Sequence, residues 1–145
     1  MIRVCHIMSG DLWAGAEVLA YSLISTLAKN SDISIIAIVL NKGTLHDRLK
    51  NAGIQTYCLL ETDNSFLGLV QHIIKIIKTE KIQIIHSHRY KENLLTFGAS
   101  FFSKKLTLIS TQHGLPEQLF SWKSKLLHTL NFYILCTFFY KTIAV

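Results

Sequence analysis

The fold is decided near the N-terminus, by the sequence IRVCHIM at residues 2–8, SGDLWA at residues 9–14 and GAE at residues 15–17. The first stretch is apolar and predicts a buried strand, the second is a short polar loop, and a helix begins at Gly15. This order is typical of the start of an α/β domain. Because the first turn of a helix carries unpaired N–H groups and the positive end of the helix dipole, it predicts an anionic ligand, such as a phosphate, above the sheet.

The composition of the 145-residue chain fits one globular domain. Half of the residues are hydrophobic and the mean hydropathy is +0.33, while a single proline and seven glycines exclude a low-complexity protein. Fifteen Lys and Arg against nine Asp and Glu give a net charge of +6, which favours phosphates, nucleic acid or an anionic membrane. Nucleic acid is the least favoured of these partners, because the positive charge is dispersed and follows no aromatic–basic pattern.

The cysteines and the hydropathy profile predict a cytoplasmic protein. Cys5, Cys58 and Cys136 are odd in number and far apart, and each lies in an apolar run, so we expect buried free thiols in a reducing compartment. No export signal is apparent. The most apolar segment, residues 126–140, is interrupted by polar residues and falls short of the roughly 20 apolar residues that cross a bilayer.

Short apolar runs alternate with helical patterns along the whole chain. The runs are near-continuous, as expected for strands covered on both faces, and lie at residues 2–8, 33–40, 54–60, 82–86, 106–111 and 142–145. Helical patterns lie at about residues 16–27, 44–52, 70–77, 94–102 and 118–140. The alternation predicts a single Rossmann-like, three-layer α/β domain over residues 1–145, with a parallel sheet of about six strands in the order 3-2-1-4-5-6 flanked by helices.

In that strand order, the loops after the first, fourth and fifth strands meet at the carboxyl edge of the sheet. All three loops carry polar side chains or a helix start. The residues predicted to contact a ligand there are Asp11, Trp13, Gly15, Ala16, Glu17, His86, His88, Arg89, His113 and Gly114.

Gly15 and the backbone amides of Ala16 and Glu17 form a candidate phosphate cradle, although a glycine here could serve only a tight turn. The chain lacks G-x-G-x-x-G and G-x-x-x-x-G-K-[ST], which argues against a dinucleotide dehydrogenase and a P-loop NTPase.

Glu17 could bind a ligand hydroxyl or compensate the helix dipole. Asp11 and Trp13 could contact a sugar ring, or Trp13 could pack against the sheet edge.

His86 and His88 lie two residues apart at a strand end, and therefore on one face. With His113 they could form a zinc site, but no cysteine or obvious carboxylate completes it, so we predict no metal. Polar contacts to a ligand, or hydrogen-bonded histidines at the sheet edge, are the alternatives to a metal site. Arg89 adds a cationic donor for a phosphate or a carboxylated sugar.

His113 is the predicted catalytic residue, because it follows a strand and precedes Gly114. It could instead form hydrogen bonds with the backbone of the turn.

The last helical pattern, residues 118–140, has a wide apolar and aromatic surface flanked by Lys123, Lys125 and Lys141. A basic amphipathic helix can lie on an anionic bilayer. Packing on the sheet or against a further domain is favoured, because a crossover helix must precede the sixth parallel strand.

Four sequence elements, in this order, resemble the N-terminal domain of a GT-B-fold glycosyltransferase of family 4. Residues 14–17 (AGAE) are similar to a G-G-[AT]-E helix start, with Ala14 in place of the first glycine. Residues 84–88 (IIHSH) resemble an H-[ST]-H element, residues 111–114 (TQHG) a T-x-H-G element, and residues 142–145 (TIAV) the strand that usually precedes a serine.

The resemblance implies a retaining transferase of two domains, in which the N-terminal half mostly holds the acceptor and the C-terminal half most of the nucleotide-sugar. The second domain is expected to lie outside these 145 residues, so that the chain alone is inactive. His113 would touch the donor sugar, and Gly15 would approach the donor phosphates or the acceptor. No metal or other cofactor is implied, since the nucleotide-sugar is a substrate. The expected role is synthesis of a surface polysaccharide or lipid-linked glycan, at the inner face of the cell membrane.

Two other interpretations stay open. One is a non-catalytic, membrane-associated subunit that pairs with a separate donor-binding chain. The other is a stand-alone α/β protein that binds a sugar or nucleotide.

Overall fold

The computed structural model describes residues 1–103, 105–113 and 122–145, and in these residues six strands alternate with five helices. The strands are β1 (Ile2–Met8), β2 (Ile33–Val39), β3 (Gln55–Cys58), β4 (Ile84–Ser87), β5 (Thr107–Gln112) and β6 (Lys141–Ala144). The helices are α1 (Gly15–Leu27), α2 (Thr44–Asn51), α3 (Phe66–Thr79), α4 (Tyr90–Ser100) and α5 (Trp122–Phe138). All strand pairs are parallel, in the order β3-β2-β1-β4-β5-β6. The predicted fold class and strand order are confirmed.

The sheet has an apolar core on each face, because successive side chains of a strand point to opposite sides. Cys5 and Ile7 of β1 belong to one core, which α3 and α4 cover. Val4 and Met8 belong to the other core, which α1 and α2 cover. This two-sided coverage explains why apolar residues occupy both faces of the central strands.

Helix α3 shows how the sequence forms one of these covering helices. The hydroxyl of Ser65 accepts a hydrogen bond from the backbone N–H of Gly68, which caps the first turn. The buried residues then recur at helical spacing, at Leu69, Val70, Ile73, Ile76 and Ile77. The helix therefore presents a single apolar stripe to the sheet.

Helix α5 is held to α4 by a small buried contact. The side-chain amide of Asn93 donates to Oδ1 of Asn131 at 2.9 Å, and the Phe97 and Phe138 rings lie 4.7 Å apart. Many large apolar side chains of α5 stay exposed, among them Trp122, Leu126, Leu130, Phe132 and Tyr133. The predicted residues 118–121 of this helix lie outside the described residues.

Strand β6 and the cysteines differ from the expectation of burial. All four residues of β6 are exposed, because it is an edge strand paired only with β5 in the described sheet. The three cysteines are free, with Cys5 buried, Cys58 half-buried and Cys136 exposed. The prediction of burial is wrong for Cys136, which lies on the exposed side of α5. Among the helices of the described residues, none is long and apolar enough to cross a membrane.

Crowding between two loops makes Gly43 intolerant of a side chain. A Cβ atom at Gly43 would lie 2.5 Å from the carbonyl oxygen of Gly10, whereas a Cβ at Gly15 would have no atom of the described residues within 4 Å. We expect Gly43→Ala to lower the free energy of unfolding by about 1–3 kcal/mol, because the β1–α1 loop and the start of α2 must separate. Urea denaturation of Gly43→Ala beside the matched variant Gly15→Ala measures this difference. Equal stabilities would contradict the contact.

Candidate functional site

The candidate site lies at the carboxyl edge of the sheet, where β1 and β4 are neighbours. Their parallel register places His6 beside His86. The chain runs outward from β1 through β2 to β3 and then returns to β4 on the other side of β1, so this pair is the topological switch point of the sheet. The loops after β1 and β4 meet there, as predicted, together with His113 at the end of β5; the rest of the loop after β5 lies outside the described residues.

Four histidine rings lie in contact at this edge, and we call them the histidine column: His6, His86, His88 and His113. The centroids of His86 and His88 are 4.5 Å apart with ring planes at 20°, and those of His88 and His113 are 5.6 Å apart at 17°. His6 lies 4.9 Å from His86 and 5.5 Å from His88. Sequence analysis missed His6, because nothing distinguishes a functional histidine within an apolar strand from one that only fills the core.

Ring nitrogens connect three members of the column in a chain. His6 Nδ1 lies 3.2 Å from His88 Nε2, and His88 Nδ1 lies 3.3 Å from His113 Nε2. His86 is bonded separately, with its Nε2 2.8 Å from the hydroxyl of Thr111. A neutral imidazole carries one N–H and one acceptor nitrogen, so both contacts are hydrogen bonds when the rings are neutral and their protons share one direction. Nε2 of His6 is buried and has no hydrogen-bond partner among the described residues.

The environment keeps these rings neutral. Burial, followed by the neighbouring His86, lowers the pKa of His6 to about 3. Burial and His113 lower the pKa of His86 to about 4, and burial holds the pKa of His88 well below its ordinary value. Burial and the charge of Arg89 also lower the pKa of His113. Near neutral pH, His113 therefore meets a ligand as an uncharged donor or acceptor.

Three rings of the column, those of His6, His86 and His88, offer nitrogens within 4.8 Å of one another, close enough to be considered for a metal ion. A zinc ion lies about 2.0–2.1 Å from each histidine nitrogen that binds it, along the direction of the nitrogen lone pair in the ring plane. The stacked rings of His86 and His88 would have to turn apart to share one ion. The absence of a bound metal stays a prediction.

A narrow crevice, open to solvent, lies beside the column between β1, α1 and α4. Its lining includes Ser9, Ala16, Glu17, His88, Arg89 and Glu92. Nη2 of Arg89 donates to Oε1 of Glu17 at 2.9 Å, and the Glu17 side chain is only 4% exposed. The structure thus brings together four of the predicted residues, Ala16, Glu17, His88 and Arg89. It also pairs Glu17 with Arg89, whereas the sequence suggested for Glu17 only a ligand hydroxyl or compensation of the helix dipole.

Glu92 is a further residue of the candidate site that sequence analysis missed. It lies in the first turn of α4, is fully buried, and accepts a hydrogen bond from the Ser9 hydroxyl at 2.5 Å. Burial raises the pKa of Glu92, against the opposing effects of the Ser9 hydrogen bond and the Arg89 charge. Oε2 of Glu92 and Oε2 of Glu17 have no hydrogen-bond partner among the described residues. An acidic residue in a first helical turn is usually exposed, so its sequence position alone gave no signal.

Trp13 has the packing role that was one of its two alternatives. Its ring meets Tyr21 edge-on, with centroids 5.9 Å apart, and the Arg48 guanidinium lies 4.4 Å from its centroid. It also packs against the apolar core beneath α1 and α2. The Trp13 ring therefore already packs against other groups of the protein.

Two of the remaining predicted residues lie between β1 and the first turn of α1. Asp11 is exposed and accepts a hydrogen bond from the side-chain amide of Asn41. Gly15 begins α1, and none of the described residues lies within 4 Å of where its Cβ would stand. Gly114 lies outside the described residues.

The depressed histidine pKa values make stability depend on pH. Histidines in the unfolded chain titrate near pH 6.5. Below that pH the unfolded chain binds protons, whereas buried His6 in the folded protein stays unprotonated down to about pH 3. We expect the free energy of unfolding to be highest above pH 6.5 and to fall by about 1.4 kcal/mol per pH unit for each such histidine between pH 6.5 and 4. Urea denaturation of wild type and His6→Gln tests this. The variant should show the shallower fall, with measurements above pH 7 as the control, and identical slopes would contradict it.

The sequence matches the family described as Glycosyl transferase 4-like over residues 7–142. A curated relative is the capsular polysaccharide biosynthesis glycosyltransferase CapH of Staphylococcus aureus. It is 28% identical over 122 residues, which cover 81% of this chain and 33% of CapH.

Two solved structures share the fold. A glycosyltransferase from Rickettsia africae superposes with a TM-score of 0.75 at 20% identity, over 99% of this chain and 36% of that protein. Anabaena HepE, crystallised in complex with UDP, has a TM-score of 0.74 at 16% identity, over 98% of this chain and 37% of HepE. The chain thus spans about a third of the length of these relatives.

The family match covers all three loops of the site, from the end of β1 to the start of β6. The fold and the order of the sequence elements agree with it. The protein belongs to the glycosyl transferase 4-like family.

Proposed function

We propose that the chain is the acceptor-side domain of a glycosyltransferase that uses a nucleotide-sugar. The observation that carries this proposal is the convergence, at the β1–β4 switch point, of the Glu17–Arg89 ion pair and the column that ends in His113. The reaction would transfer a sugar, with retention, to a glycan or lipid-linked acceptor. The capsular role in the name of CapH and the UDP bound to HepE support this substrate class.

In this proposal the start of α1 and the end of β5 have distinct tasks. A Cβ at Gly15 would meet none of the described residues, so a ligand can approach the unpaired N–H groups at the start of α1. His113, half-buried and stacked on His88, touches the transferred sugar and supplies an uncharged hydrogen-bonding group there. No cofactor takes part, since the nucleotide-sugar is itself a substrate.

We expect the 145 residues alone to be inactive. The relatives are about three times as long, and a donor site would come from a C-terminal domain or a partner chain. Turnover by the isolated chain would contradict this part of the proposal.

Loss of His113 tests the proposed catalytic role. In the full-length enzyme, or in the complex with the donor-binding chain, we expect His113→Ala to lower kcat by about 10²–10⁴-fold, the usual range for a positioned proton donor or acceptor. Release of UDP from a panel of UDP-sugars in the presence of lipid-linked acceptors measures it. The control is His72→Ala, since His72 is exposed on α3. Equal rates in the two variants would remove His113 from the reaction.

A second candidate function, a membrane-associated subunit at the inner face of the cell membrane, is favoured by the surface of α5. Phe132 is 69% and Tyr133 61% exposed, and Lys125 and Lys141 are exposed nearby in the chain. Apolar rings combined with cationic side chains suit an anionic bilayer. This role is compatible with a lipid-linked acceptor.

Vesicle flotation tests the membrane role. We expect the chain to float with phosphatidylglycerol vesicles, less so at high salt, and not with phosphatidylcholine vesicles. Phe132→Ser should lower the partition coefficient about tenfold or more, because an aromatic side chain contributes roughly 1.5–3 kcal/mol when buried. Phe66→Ser, at an exposed position on α3, is the matched control. Equal flotation of both variants would exclude the α5 surface.

A further inference from the structure

Three members of the histidine column, His6, His88 and His113, form a line of ring-to-ring contacts that we call the imidazole chain. Nδ1 of His6 lies 3.2 Å from Nε2 of His88, and Nδ1 of His88 lies 3.3 Å from Nε2 of His113. The planes of the contacting rings are at 28° and 17°, and the rings are offset so that these nitrogens meet. The imidazole chain runs outward from the core, because His6 is fully buried, His88 is 4% exposed and His113 is half-buried.

The protons of the imidazole chain have only two arrangements in which both contacts are hydrogen bonds. Burial lowers the pKa of all three rings, so each ring is neutral near pH 7 and carries a single N–H. In the outward arrangement, every proton lies on Nδ1 and each inner ring donates to the next ring out. In the inward arrangement, every proton lies on Nε2 and each outer ring donates to the next ring in.

The buried end of the imidazole chain decides between the two arrangements. Nε2 of His6 is buried and has no hydrogen-bond partner among the described residues. The inward arrangement would place an N–H there without an acceptor, whereas the outward arrangement leaves only an unused lone pair. Among backbone groups, buried donors without a partner are rarer than acceptors with an unused lone pair, and the same preference favours the outward arrangement here.

The ring of His88 is held in the orientation that transmits this preference. It stacks on the ring of His86, with centroids 4.5 Å apart and planes at 20°. Each of its two nitrogens contacts another ring, so a half-turn of His88 would replace both nitrogen contacts by C–H groups. His88 therefore passes on to His113 the proton arrangement that is set at His6.

We propose that His88 is a positioning residue, which donates from its Nδ1 and thereby holds His113 in the tautomer with its proton on Nδ1, while His6 orients His88 in the same way. His113 then offers an N–H, rather than a bare nitrogen, at the position that His88 does not contact. Its partner in a substrate would be an acceptor oxygen, and an oriented donor stabilises negative charge that develops on such an oxygen. This consequence for the reaction rests on the proposed function, whereas the tautomer itself does not.

Ring-nitrogen NMR of the chain, labelled with ¹⁵N-histidine, tests the tautomer directly. Long-range correlations from the carbon-bound ring protons distinguish a protonated ring nitrogen from a bare one, and the signals lost in His113→Ala identify His113. Near neutral pH we expect His113 to carry its proton on Nδ1 alone, and couplings between nitrogens to appear across both hydrogen bonds. The reference is exposed His72, whose two tautomers should average. A proton on Nε2 of His113, averaged tautomers there, or missing couplings would overturn the proposal.

Variants of His88 show whether the imidazole chain sets the tautomer. His88→Phe keeps an aromatic ring but removes the donor, so we expect His113 to average between its two tautomers. His88→Asn should retain the Nδ1 proton on His113, because the amide nitrogen of asparagine can take the place of Nδ1 and donate. The matched control is His86→Phe, since His86 bonds Thr111 and lies outside the imidazole chain. This control should also retain the tautomer.

The tautomer of wild type keeps the proposal falsifiable if His88→Phe does not fold. In folded variants, a retained tautomer in His88→Phe would overturn the positioning role. Loss of the tautomer in His88→Asn or in His86→Phe would assign it to packing of the rings rather than to the donor, and would overturn the role as well.

Kinetics of the full-length enzyme separate this proposal from the proposed function. We expect His88→Phe to lower kcat/KM about tenfold, the order of one misdirected hydrogen bond, and His88→Asn to restore most of the loss. Equal losses in the two variants would contradict the positioning role. Normal transfer by an enzyme whose His113 has a bare Nδ1 would refute the proposal and leave the proposed function standing. A fixed Nδ1 proton in an enzyme that transfers no sugar would do the reverse.

Discussion

The parallel pairing of β1 with β4 is the constraint on which the rest of the site depends. Its register sets His6 beside His86, and the strand period of two then brings His88 onto the same face. A slip of one residue would send these side chains to the opposite core. The apolar residues that flank His6 prevent that slip. Cys5 and Ile7 would have to move into the core that Val4 and Met8 fill, and Val4 and Met8 would have to move into the opposite core.

The same pairing explains why the site is built from neutral or unpaired groups. The switch point lies above the most deeply buried part of the sheet, where a charge is costly, so the histidines stay unprotonated. Three of them bond to one another, and His86 bonds Thr111. Nε2 of His6 and one carboxylate oxygen each of Glu17 and Glu92 are buried without a hydrogen-bond partner among the described residues. Such groups are uncommon in folded proteins.

Sequence reasoning identified the fold because the alternation of apolar runs and helical stripes is a property of each segment alone. It also found the edge where His86, His88, Arg89 and Glu17 meet, since the strand order fixes which loops are neighbours. It missed Glu92, whose burial follows from the seating of α4 against the loop after β1 rather than from its own neighbours in sequence. For α5 the sequence left the alternatives open, because the apolar pattern of a helix is the same whether its second face is covered or exposed.

The candidate site and the surface of α5 differ in chemistry and lie at two separate places. Buried polar groups line the site, whereas the exposed rings of Phe132 and Tyr133 gain from apolar contact. Helix α4 connects the two places, since its first turn carries Glu92 and its Asn93 bonds α5 through Asn131. The seating of α4 against the sheet therefore sets where the α5 surface lies relative to the site.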